Sequence, residues 1–163
     1  MFERDKRGEE NLFLRKLFYK NKENANISTT MKVATDYMKV INAAEIDEMR
    51  MPAFNQSHWG SEEDYKLYLE SVQSLIEEYE QTGAIHTLEY NSLDDIEKNR
   101  EEQHKLNQFN SSFLSVGHYI NVEKTLTGKY KVVSNGRHRM YVAKKFGFKL
   151  LVHVAQEVVE LNN

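Results

Sequence analysis

Residues 132–154 read "VVSNGRHRMYVAKKFGFKLLVHV", and the rest of the chain is best interpreted outward from them. Val132 and Val133 are β-branched and suit the end of a strand, and Asn135-Gly136 suits a turn. Met140, Val142, Ala143 and Phe146 have helical spacing, and Gly147 offers the free φ of a helix stop. "KLLVHVA" then reads as a buried closing strand. The sequence thus predicts a strand, a glycine turn, a helix, a second glycine and another strand, a compact βαβ unit. At its joint Arg137, His138 and Arg139 follow directly on Gly136. This is either a solvated helix start or an anion site. Cations at the first turn of a helix oppose the macrodipole, and unpaired backbone N–H groups there favour an anion. Guanidinium forks suit phosphate, and His138 can add hydrogen bonds. Arg137 and Arg139 diverge by about 200° on a helix, so one is expected to face the ligand while the other packs or pairs elsewhere.

The bulk composition bounds the class. The 163 residues fit one domain with a real core, and 40% hydrophobic content with nine Tyr and eight Phe argues for a folded globule. There is no cysteine, which excludes disulfides, thiolate metal sites and a thiol nucleophile. No apolar run approaches a membrane span, and "MFERDKRGEE" lacks a signal-peptide core, so the expectation is a cytoplasmic protein. The net charge of -3 hides an asymmetry. Residues 61–102 hold thirteen acids against three Lys or Arg, whereas residues 129–149 hold seven Lys or Arg and no acid. If the fold keeps these stretches apart, one face is positive and another negative.

Upstream, "EENLFLRKLFY" from Glu9 is a short amphipathic helix by spacing, and Ser28, Thr29 or Thr30 can cap a second. "MKVI" at Met38–Ile41 reads as a strand. Ser61 with Glu62, Glu63 and Asp64 opens the longest helix, which carries Tyr65, Leu69, Val72, Leu75, Ile76 and Tyr79 and ends near Gly83. Residues 85–90 are expected as a short strand, and Ser92 with Asp95 as the start of a polar helix to about His104, an insertion or lid. "HYINVEKTLTGKYKVVS" predicts a hairpin around Thr127-Gly128, which puts His118 in a strand. The His residues show no metal-ligand spacing, so no metal site is expected.

The closing stretch resembles the phosphate-binding motif of the ParB/sulfiredoxin superfamily, with Gly136, Arg139, Ala143 and Gly147 at the matching positions. "MKVINAAEIDEMRMPAFN" is similar to that family's opening strand and "I-x-x-x-R" segment, with Ile46 and Arg50 in place. The resemblance implies an α+β fold with a small mixed sheet and packed helices. Residues 1–36 would form a helical N-terminal extension. Residues 37–163 would be the ParB/sulfiredoxin-like domain, with a helical insertion at 91–112. It implies nucleotide binding, of ATP or CTP with Mg²⁺, by Ser134, Asn135, Gly136, Arg137, His138, Arg139 and Arg50. Glu45, Asp47 and Glu48 are the candidate catalytic acids for a phosphotransferase or nucleotidase, since the opening strand should deliver them beside the turn. Sulfiredoxin activity needs a cysteine at the position of Arg137 and is excluded. Partition ParB proteins continue into a helix-turn-helix reader, which this chain, ending at Asn163, is not expected to supply. A kinase-like branch carries an acid where this chain has Asn135, which weakens phosphotransfer. The alternative is a non-enzymatic ParB-like module that binds DNA or a partner protein through the basic C-terminal third, as a monomer or a dimer.

Overall fold

A computed structural model describes residues 29–161. It is a mixed α/β structure whose four strands lie in the order β1-β4-β2-β3. Strand β1 (Thr29–Ile41) pairs antiparallel with β4 (Leu150–Leu161). Strand β4 runs parallel to β2 (Asn121–Lys124), and β2 pairs antiparallel with β3 (Tyr130–Ser134). The expected hairpin is present, with a turn closed by Gly128 N–H donating to Thr125 O at 3.0 Å. The expected βαβ unit is differently wired. β3 does not neighbour β4, because β2 lies between them and is the parallel partner.

Among the described residues, five helices complete the fold. The predicted long helix is two, α1 (Glu62–Ser71) and α2 (Gln73–Thr82), broken at Val72. Its ends are as the residues dictate. Ser61 and Asp64 form a reciprocal capping box, and Gly83 closes α2 at φ 78°. Helices α3 (Leu93–Lys98) and α4 (Arg100–Phe109) follow, and a π-helical turn over Asn110–Leu114 continues α4. Helix α5 (Arg137–Phe146) starts after Gly136 and is stopped by Gly147 at φ 80°. The core joins Leu69 and Ile76 of α1 and α2 to Met140 and Val142 of α5 and to Leu151 and Val154 of β4. Each such side chain stabilises the fold by about 1.5–3 kcal/mol through burial.

Several expectations need correction. Residues 29–36, expected within a helical extension, are strand, because Thr29 to Ala34 pair with residues 156–161. The remainder of that extension, including "EENLFLRKLFY", lies outside the described residues. Residues 85–90 form no strand. Residues 91–112 are helical as expected, but they are not a detached lid, since Leu106 and Phe109 are buried in the core. His118 sits in a turn and is exposed, not in a strand. No described helix is long and apolar enough to cross a membrane.

Candidate functional site

The site is best built from the turn Ser134–Arg139. Two successive residues adopt the left-handed conformation, Asn135 at φ 55° and Gly136 at φ 96°. Asparagine tolerates this region and glycine is at home in it. The glycine is required for a second reason. A Cβ there would lie 2.8 Å from both γ carbons of Ile120. The space that sequence reasoning reserved for a phosphate is therefore filled, on that side, by a core isoleucine.

The polar side chains of the turn hold neighbouring loops. Asn135 Nδ2 donates to Gly117 O at 3.1 Å and to Tyr119 O at 3.2 Å. Both partners only accept, so the amide must present its nitrogen. His138 Nε2 donates to Ala53 O at 3.1 Å, while its ring stacks on Tyr65 at 5.5 Å and meets Phe54 edge-on. Ser134 Oγ accepts from Asn121 Nδ2 at 3.3 Å, and Asn121 Oδ1 in turn lies 2.7 Å from His153 Nδ1. Asn135 and His138 are thus spent on protein partners and are poor candidates for direct phosphate ligands, whereas Ser134 only accepts and keeps its O–H proton for a further acceptor.

Arg139 is the exception in kind. It is only 5% exposed. Nη1 donates to Ser112 O at 2.6 Å and Nη2 to His118 O at 3.0 Å. Its guanidinium lies over Trp59 and Phe113, at 5.1 and 5.5 Å from the ring centroids. These contacts engage two of its N–H donors and leave its charge without a counter-ion. Arg139 has no carboxylate partner among the described residues. Burial lowers its pKa to about 10. A buried cation without a counter-ion is costly, and an arriving anion relieves that cost. The guanidinium borders a cleft of about 320 Å³, together with Ser57, His58, Trp59, Ser112 and His118. No side chain caps the first turn of α5, so its N–H groups add to the positive field.

The structure divides the remaining predicted residues from this cleft. Arg137 and Arg50 border a second cleft of about 270 Å³, with Asp47, Glu48 and Lys131. The two arginines border different clefts, Arg139 the first and Arg137 the second. Of the candidate acids, Glu45 Oε2 accepts the Asn42 N–H at 3.2 Å, so it caps the 3-10 turn Ala43–Glu45. Glu48 pairs with Lys144 at 3.3 Å. Asp47 borders the second cleft and accepts the Glu48 N–H at 3.0 Å. None of the three borders the Arg139 cleft. No group of acids and histidines among the described residues forms a metal cluster.

The site residues expected from the sequence do not include Trp59, which is 36% exposed and borders the cleft, or the carbonyls of Ser112 and His118. Backbone acceptors carry no side-chain signal. The spacing of Trp59 to Tyr65 and Tyr68, with which it packs at 5.1 and 4.8 Å, is the one clue the sequence offers. Comparison of the chain with protein-family models, with curated proteins and with solved structures finds no match.

Proposed function

We propose that this protein binds a nucleoside triphosphate, with the phosphates drawn to Arg139 and the uncapped first turn of α5. The observation that carries this reading is Arg139 itself, a 5% exposed guanidinium at a cleft wall without a carboxylate partner among the described residues. The aromatic wall of Trp59 and Tyr65 favours a ligand with a planar base over a bare anion, and the cleft volume of about 320 Å³ is within the range of small-molecule sites. The resemblance of Gly136, Arg139, Ala143 and Gly147 to the ParB/sulfiredoxin phosphate motif points the same way, towards ATP or CTP with Mg²⁺. Binding is the better supported half of the reading. Phosphotransfer or hydrolysis needs a carboxylate at the phosphates, and of the three candidates Asp47, which makes no ion pair among the described residues, borders the neighbouring cleft.

The test is titration calorimetry with ATP, CTP and GTP, each with Mg²⁺, beside Arg139→Ala. Trp59 is the sole tryptophan, so its fluorescence reports the same cleft independently. We expect saturable one-to-one binding of one nucleotide, a change in Trp59 emission, and at least a tenfold loss in a folded Arg139→Ala variant. No heat and no emission change with any of the three would overturn the reading.

A further inference from the structure

We propose that the second cleft, on the other side of the α5 start, takes an extended acidic peptide that adds to the open edge of β3. The edge follows from the hydrogen-bond alternation. Thr125 N–H donates to Lys129 O across the hairpin at 2.8 Å, so residue 129 faces β2 and residue 130 faces away. Tyr130 O accordingly accepts Asp47 N–H at 2.8 Å, and Ile46 forms an isolated parallel bridge to Tyr130. By the same alternation Val132 turns its N–H and C=O outward. There the chain that bridged Tyr130 leaves the edge, because Glu48 and the Ile46 carbonyl are drawn to Lys144. Val132 has no outer backbone partner among the described residues. The bridge stops after one residue and leaves a wedge between Met49-Arg50 and β3, which is the cleft.

The lining specifies the guest. Ile46, Val132 and Met140 supply an apolar floor, while Arg50, Lys131 and Arg137 supply cations. Arg50 and Arg137 take no ion pair among the described residues, and Lys131 reaches Glu123 only at 3.8 Å, where Lys32 is closer at 3.0 Å. The acids on the same cleft are Asp47 and Glu48, and Glu48 is paired with Lys144. The uncompensated charge is therefore positive. A strand with alternating apolar and acidic residues matches both features, with its backbone on Val132 and its carboxylates at the two arginines.

The probe is a labelled peptide, Val-Glu-Val-Glu-Val, titrated into the full-length protein by fluorescence anisotropy. Controls are Val-Lys-Val-Lys-Val, the acidic peptide N-methylated at its central residue, and the double variant Arg50→Glu/Arg137→Glu. Both arginines are exposed, and a Glu at the start of α5 suits the helix dipole, so the variant should fold. We expect saturable binding of the acidic peptide only, a fall of about fivefold to tenfold on N-methylation, and loss in the double variant. Equal binding of the N-methylated peptide would show charge attraction without strand addition and overturn the proposal. Competition by Mg-ATP or Mg-CTP would overturn it too, by making this cleft part of the nucleotide site. Failure here leaves the Arg139 reading untouched, since that is measured by Trp59 emission and Arg139→Ala.

Discussion

At the scale of single residues, the turn Asn135-Gly136 shows how chemistry and packing divide the same positions. Asn135 presents N–H groups to two carbonyl oxygens, which a carboxylate cannot do. Asn135→Asp is therefore expected to destabilise the fold by about 1–3 kcal/mol above neutral pH. Urea denaturation would read this, and an unchanged midpoint would show that the amide is idle. Gly136→Ala forces a left-handed alanine against Ile120 and should cost about 2–4 kcal/mol from backbone and overpacking terms together. A double-mutant cycle with Ile120→Ala should show coupling between the two sites, and additivity would remove the packing explanation. The sequence marked the right turn for a partly different reason. Glycine's positive φ and the opposite directions of Arg137 and Arg139 were legible. That Arg139 is buried was not, because its partners are main-chain oxygens from residues 112 and 118.

At the scale of elements, the helices and strands with clear periods were legible: α1 and α2 by their three-four repeat, α5 by its glycine ends, and the hairpin by its turn. The first half of β1 was missed although Met31 and Val33 alternate with Lys32 and Ala34, since the threonines also suit a helix cap and only pairing with β4 decides. The break at Val72 carries no proline or glycine to announce it. Between α2 and α4 a histidine makes a pH-dependent tie. His86 Nδ1 lies 2.8 Å from Glu78 and Nε2 3.2 Å from Glu102. The hydrogen bond to Glu78, then the charge of both carboxylates, raises the His86 pKa above its ordinary 6.5. The stability from this tie is complete below about pH 6.5 and is lost as pH rises through the folded value. Exposure limits it to a few tenths of a kcal/mol. His86→Gln should flatten the melting-temperature profile in that window, and an unaltered profile would deny the tie a role.

At the scale of the whole molecule, part of the charge asymmetry along the chain is cancelled in space. Lys145 of α5 pairs with Glu62 of α1, Lys149 with Glu80 of α2, and Lys144 with Glu48. Acidic and basic stretches meet because α5 packs on α1, a contact that no composition count anticipates. These pairs weigh against the basic C-terminal third as a DNA surface. Duplex DNA binding should be weak, with a log–log salt slope shallower than about -3. A slope near -6, measured by anisotropy between low and physiological salt, would mean that the pairs open on DNA.

The pairing of β1 with β4 has a kinetic consequence. Thr35 Oγ1 reaches Val154 O across 119 residues of chain, and the ribbon that contains them closes nearly the whole described length into one loop. Such closure is entropically costly before any contact rewards it. The hairpin and α5, made of local contacts, are positioned to nucleate folding, with β4 laid beside β2 next. Strand β1 then joins last and leaves first, so in native-state hydrogen exchange its amides should open at lower free energy than those of β2.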